Sequence, residues 1–149
     1  MMMSKIVFRR MVEKDLEKVA EIERQIFSDP WSYNAFKTDL ANDMAFPVIA
    51  ELENLVIGYA NLYIVAGEVQ VGNFAIAPGY RNRGIGKKLM NEILRIAAEG
   101  KCDSIFLEVR ESNEPAKALY TSFGFKSTGL RRNYYSNPRE SAIIMVREV

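Results

Sequence analysis

Apolar residues change their spacing along this chain, and each change marks a new element. Ile6 and Phe8 alternate with their neighbours up to Arg9-Arg10, which predicts a short opening strand. Leu16, Val19, Ala20, Ile22, Glu23, Ile26 and Phe27 then recur at helical intervals, predicting an amphipathic helix over Lys14 to Phe27. Asp29-Pro30 stops it, because the proline ring disfavours a helical conformation at its predecessor. Ser32 offers an oxygen to cap a second helix through Tyr33, Phe36 and Leu40.

Two β-rich runs, Phe46 to Glu51 and Val56 to Ile64, flank Glu53-Asn54 and predict a hairpin. Ala66-Gly67 turns the chain into a further strand, Val69 to Ile76, which ends at Pro78-Gly79. Ile85, Leu89, Ile93, Leu94, Ile96 and Ala97 restore helical spacing, and Gly100 closes that helix. Ser104 to Val109 is too apolar for an exposed edge and reads as an interior strand. Pro115 opens a last helix whose buried side is Ala116, Ala118, Leu119, Tyr120 and Phe123, up to Gly124. Phe125 onward and Ala142 to Val146 supply the final strands. Helices alternate with strands and hairpins stand at both ends, so a mixed α/β sheet is expected rather than a fully parallel one. With no repeat or linker, one domain over residues 1–149 is expected.

Composition narrows the chemistry. Twenty basic and 19 acidic residues leave a net charge of +1, which carries no footprint for direct nucleic-acid binding. One cysteine, Cys102, and no histidine remove an internal disulfide, a zinc site and a histidine-based triad; no metal is expected. Met1-Met2-Met3-Ser4-Lys5 has no signal-like apolar run, and no stretch reaches membrane-spanning length, so a cytoplasmic protein without a membrane partner is expected.

Between a predicted strand and a predicted helix lies Arg81-Asn82-Arg83-Gly84-Ile85-Gly86-Lys87-Lys88. Its glycines let successive N–H groups converge on one anion, the helix start adds unpaired donors, and four cations stand ready to neutralise a phosphate. A P-loop fits worse, since Ile85 and Gly86 stand where Lys and Ser/Thr belong.

Together with this cradle, Val71-Gly72-Asn73-Phe74-Ala75-Ile76-Ala77-Pro78, Leu107-Glu108-Val109-Arg110-Glu111-Ser112-Asn113, Ala118-Leu119-Tyr120 and Gly124-Phe125 resemble the GNAT superfamily of N-acetyltransferases. Pro30-Trp31-Ser32, Arg131-Arg132-Asn133-Tyr134-Tyr135 and Ala142-Ile143-Ile144-Met145 narrow the likeness to its RimI-type members, which acetylate protein α-amino groups, in bacteria the N-terminal alanine of a small-subunit ribosomal protein. The resemblance implies a GNAT fold: a central, twisted, mostly antiparallel mixed sheet of about seven strands flanked by about four helices. It implies acetyl-CoA as donor and a protein or peptide N-terminus as acceptor. Arg81, Asn82, Arg83, Gly84, Ile85, Gly86 and Lys87 would hold the pyrophosphate. Phe74, Ala75 and Ile76 would lie along the pantetheine arm, and Asn113 would add a side-chain contact.

Glu108, the one charged residue in Phe106-Leu107-Glu108-Val109, is the general base by the same resemblance. The plainer reading pairs it with Arg110 or Arg131. Tyr120 is the matching acid for the departing thiolate, with a buried core aromatic as its plainer reading. Trp31, Tyr33, Arg131, Tyr134 and Tyr135 are expected around the peptide entrance. One departure stands out: the RimI pattern reads Glu-Asp-Ala where this chain has Glu140-Ser141-Ala142, which puts an acidic substrate contact in doubt. A small-amine acetyltransferase and a non-catalytic acetyl-CoA-binding module stay open at this point.

Overall fold

A computed structural model describes residues 5–149, so the opening Met1-Met2-Met3-Ser4 lies outside the described residues. Chain order runs β1 (Ile6–Arg10), α1 (Leu16–Ile26), α2 (Tyr33–Leu40), β2 (Ala45–Leu52), β3 (Leu55–Val65), β4 (Glu68–Ile76), α3 (Ile85–Glu99), β5 (Ser104–Arg110), α4 (Glu114–Ser122), β6 (Lys126–Tyr135) and β7 (Glu140–Glu148). The seven strands form one sheet in the order β1-β2-β3-β4-β5-β7-β6. Among the described residues only β4 and β5 pair in parallel, through the crossover that contains α3; the other neighbouring pairs are antiparallel.

The tight hairpins are written in local backbone geometry. Glu53 and Asn54 have φ of 51° and 65°, and Ala66 and Gly67 have 50° and 80°. Positive φ at both central residues is what a two-residue hairpin turn of type I′ requires, and its twist matches that of the strands. At the end of α3 the left-handed residue is Lys101, at φ 53°, not Gly100. Gly100 closes the helix in an ordinary conformation, where an added Cβ would lie 3.3 Å from the Ile96 carbonyl oxygen.

Two apolar layers sandwich the sheet. Leu89, Ile93 and Ala97 of α3 and Tyr120 of α4 pack with Leu62, Val69, Ile105 and Leu107 on one face. Leu16, Val19 and Ile22 of α1 and Phe36 of α2 pack with Ile49, Tyr59 and Ala75 on the other. Two expectations need correction. The first predicted helix begins as a 3-10 turn, Glu13–Asp15, before α1. There the Asp15 carboxylate turns inward and accepts from Val12 N at 2.8 Å and from both Arg9 terminal nitrogens at 2.7 and 2.8 Å. Ala118 is exposed, because Ala116, Leu119, Tyr120 and Phe123 already cover the sheet-facing side of α4.

Candidate active site

The sheet is split where its one parallel pair ends. Ladder pairing joins Glu68–Val71 to Ser104–Leu107 and then stops, while β4 continues along β3 and β5 continues along β7. A gap therefore opens between the carboxyl halves of β4 and β5. A bulge sets the geometry of its β4 wall: Leu62 pairs with Val71 and Ala60 with Phe74, so Gly72 and Asn73 together oppose Asn61. Beyond the bulge, Ala77 N donates to Ile57 O at 2.7 Å, across β3. Strand alternation then directs the Ala75 amide towards β3 as well and leaves the Phe74 and Ile76 amides facing the gap.

Residues after β4 lead into the cradle. Gly79, Asn82 and Gly84 all have positive φ, at 93°, 63° and 76°. Gly84 is the N-cap of α3, no side chain caps that end, and its first turn holds no acidic residue. Arg81, Arg83, Lys87 and Lys88 are all exposed around it. Cations beside a helix N-terminus oppose the helix dipole, and an uncapped first turn leaves its N–H groups without intrahelical partners. A bound anion resolves both costs. A methyl at Gly84 would meet nothing within 4 Å, so only its φ opposes a side chain. Gly84→Ala is accordingly expected to cost about 1–2 kcal/mol, checked by denaturant unfolding.

Glu108 stands on the opposite wall of the gap. Leu107 and Val109 point into the α3/α4 layer, so Glu108 faces the α1/α2 side of the sheet. Arg131 of β6 brings its Nε to 2.8 Å from Glu108 Oε2. That oxygen is enclosed yet receives no aligned hydrogen bond among the described residues. Tyr134 and Tyr135 complete the cluster, their rings edge to face at 5.0 Å. Burial, followed by the Glu108 charge, pushes the Tyr135 phenol up to about 12 and raises that of Tyr134.

The β6–β7 loop over this cluster is latched. Arg110 donates to Ser136 O at 2.9 Å, Pro138 O at 3.0 Å and Glu140 Oε1 at 3.1 Å, and its guanidinium lies 4.5 Å from the Tyr135 ring centre. The other Glu140 oxygen accepts from Ser112 N at 2.7 Å. Ser136 Oγ reaches Asp29 Oδ2 at 2.8 Å, so this loop meets the one between α1 and α2. The carboxylate beside Ser141 is thus part of the latch.

Tyr120 reaches the gap from the α3/α4 side. Its ring meets Phe74 edge to face at 5.9 Å, and it is only 7% exposed. Burial, then nearby Tyr135, raises its phenol well above the ordinary tyrosine range, so the proton stays on at neutral pH. Trp31 is half-buried with its ring 5.4 Å from Phe36, on the lip that meets Ser136. Tyr33 begins α2, 37% exposed, and among the described residues it makes no hydrogen bond or ring contact with the Glu108 cluster. Asn113 caps α4, its Oδ1 accepting from Ala116 N at 3.2 Å. Among the described residues no group of three or more His, Cys, Asp and Glu side chains is placed to hold a metal.

Sequence reading missed three polar residues on the α1/α2 face. Glu23, 1% exposed, accepts from Tyr59 OH, Trp31 N and Asn73 Nδ2. Burial raises its carboxyl, against those three hydrogen bonds. Its contribution to stability is therefore whole below the unfolded-chain pKa and is lost as pH rises through the folded one. The signal was present: a carboxylate on the apolar stripe of a predicted helix.

A sheet opened beside its parallel pair, leading through a bulged strand into an uncapped, cation-rich helix start, defines an acetyl-transferring enzyme. The acetyltransferase (GNAT) family matches over residues 16–125, and the chain belongs to that family. It is 37% identical over 140 residues to N-alpha-acetyltransferase RimI of Mycobacterium tuberculosis, covering 90% of this chain and 87% of that one. It is 36% identical over 134 residues to the [ribosomal protein bS18]-alanine N-acetyltransferase of Haemophilus influenzae, covering 88% and 90%. The crystal structure of the ribosomal-protein-S18-alanine N-acetyltransferase from Escherichia coli superimposes with a TM-score of 0.90 at 28% identity, over 97% of this chain and 94% of that chain. No helix among the described residues is long and apolar enough to cross a membrane.

Proposed function

We propose that the protein moves the acetyl group of acetyl-CoA to the α-amino group of a protein N-terminus, with alanine of a small-subunit ribosomal protein as substrate. The observation that carries this reading is the gap between β4 and β5, with Glu108 on one face of the sheet and Tyr120 on the other. The gap gives donor and acceptor separate approaches, each ending at one proton-transfer group. The cited relatives support the acceptor assignment.

When bound, acetyl-CoA supplies an acetyl group activated as a thioester. The uncapped start of α3, with Arg81, Asn82, Arg83, Gly84, Ile85, Gly86 and Lys87, would hold its pyrophosphate, and Asn113, whose Oδ1 caps α4, would add a side-chain contact. The gap-facing amides of Phe74 and Ile76 would donate to carbonyl oxygens of the bound donor, and the Phe74 N–H would stabilise charge developing on the acetyl oxygen. Glu108 takes the proton of the attacking amine, and Tyr120 gives its own to the leaving sulfur. The enclosed Glu108 oxygen that lacks an aligned donor fits an α-ammonium arriving in place of the Arg131 guanidinium. Trp31, Tyr134, Tyr135 and Arg131 would line the approach, and Tyr33 would meet the peptide further out, beyond the contacts of the Glu108 cluster.

Amine basicity supports the same acceptor. At pH 7 deprotonating an α-amine of pKa near 8 costs about 1.4 kcal/mol, against about 4.6 kcal/mol for a lysine near 10.4. One carboxylate base suits the first. Mass spectrometry of short peptides with acetyl-CoA is expected to show transfer to free N-termini, strongest on Ala, and at least about tenfold slower transfer to lysine in N-blocked peptides. Modification of lysine alone, or only of small amines, would replace this reading.

A further inference from the structure

Glu23 lies outside both proton-transfer positions, yet it joins four elements. From α1 it accepts Tyr59 OH of β3 at 2.5 Å, Trp31 N ahead of α2 at 3.0 Å and Asn73 Nδ2 of β4 at 2.8 Å. Two of those donors sit where the acceptor lip and the donor strand begin. Trp31 belongs to the loop that Ser136 meets through Asp29, and Asn73 is the bulge residue directly before Phe74.

The bulge decides which β4 amides face the gap. Removing its extra residue from the count would turn the Phe74 and Ile76 amides towards β3 and the Ala75 amide towards the gap, because strand groups alternate sides with period two. The only side-chain tether of Asn73 among the described residues runs to Glu23. We propose that Glu23 is a positioning residue that, through Asn73, holds the β4 bulge in register for the donor thioester and, through the Trp31 amide, fixes the acceptor lip. This rests on the acetyl-transfer reading above. A buried carboxylate with three aligned donors is what an anchor for two separate sites needs. A helix face that only packed against the sheet would be served by an apolar residue, as at Val19 and Ile22.

The two arms can be cut separately. Asn73→Ala is expected to weaken acetyl-CoA binding by tenfold or more in calorimetry and to lower kcat, with the peptide KM within twofold of wild type. Glu23→Met cuts both arms, so acetyl-CoA Kd and peptide KM rise together. Glu23→Gln recovers most of both, since its amide oxygen can accept from Trp31 and Asn73 while its NH2 donates to the Tyr59 oxygen. Tyr59→Phe, which cuts only the core arm, lowers Tm without moving acetyl-CoA Kd. Asn73→Ala and Glu23→Met that lose Tm but keep Kd, KM and kcat within twofold would overturn the proposal and leave Glu23 a core anchor. Should Glu23→Met fail to fold, Asn73→Ala alone decides. A wild-type protein that binds acetyl-CoA but acetylates no peptide would remove the acceptor reading, while the acetyl-CoA Kd of Asn73→Ala would still test the donor arm.

Discussion

Replacing Glu108 with Gln is expected to lower kcat on an Ala-starting peptide by about 10²- to 10³-fold, with acetyl-CoA affinity within about twofold of wild type. The substitution keeps the length of the side chain and leaves the backbone pairing of Glu108 with Ile144 untouched. What it removes is the Glu108 carboxylate, the group that faces the acceptor side of the gap beside Arg131. Without it, only the fraction of amine already neutral can attack. The residual rate of the variant should therefore climb about tenfold per pH unit until the α-amine's own pKa near 8, and then level off. The competing account gives Glu108 no task beyond pairing with Arg131, 2.8 Å away. On that account the loss is one half-exposed ion pair, worth about 1 kcal/mol of stability at most, and turnover is unchanged. Stopped assays across pH 6 to 9 separate the two, and a variant with wild-type kcat removes Glu108 from the chemistry.

The elements most legible in the sequence were those where one physical cause dominates. Helix α3 has its apolar stripe, its N-terminal glycine and its C-terminal glycine within one run, and the structure places it over Ile85–Glu99. The Glu53-Asn54 and Ala66-Gly67 turns follow from hairpin geometry alone. Glu108 announced itself as a charge in an apolar strand, and Arg131, one of its two candidate partners, is the one it meets. What stayed hidden depends on long-range pairing. The bulge at Gly72-Asn73 exists only relative to Asn61 on another strand, so nothing local marks it. Arg110 reads as a strand-end cation, and only the return of β7 shows that it grips a loop 26 to 30 residues further on. Glu23 sat in view on the helical stripe, but its donors lie 8, 36 and 50 residues away.

The same long-range packing bears on Tyr120, where the second large effect is expected. Tyr120→Phe should lower kcat by about 10²-fold and change stability by less than about 1 kcal/mol. The ring remains, and with it the edge-to-face contact to Phe74 at 5.9 Å and the contact to Phe125 at 5.9 Å. Only the hydroxyl is lost. Burial raises this phenol, so the sign of its pH effect is fixed: the neutral, proton-donating form persists through the ordinary tyrosine range, and any loss of rate from its ionisation lies above that range. The alkaline limb of kcat below pH 10 should consequently be the same shape in wild type and variant, with the variant displaced downward at every pH. If Tyr120 served only to fill the layer beneath α4, Phe would fill it as well and kcat would hold. A faster leaving group gives the decisive comparison. An acetyl thioester whose thiol is much more acidic than that of CoA needs no proton on departure, so the penalty of Tyr120→Phe should shrink with it, whereas the penalty of Glu108→Gln, which acts on the amine, should remain.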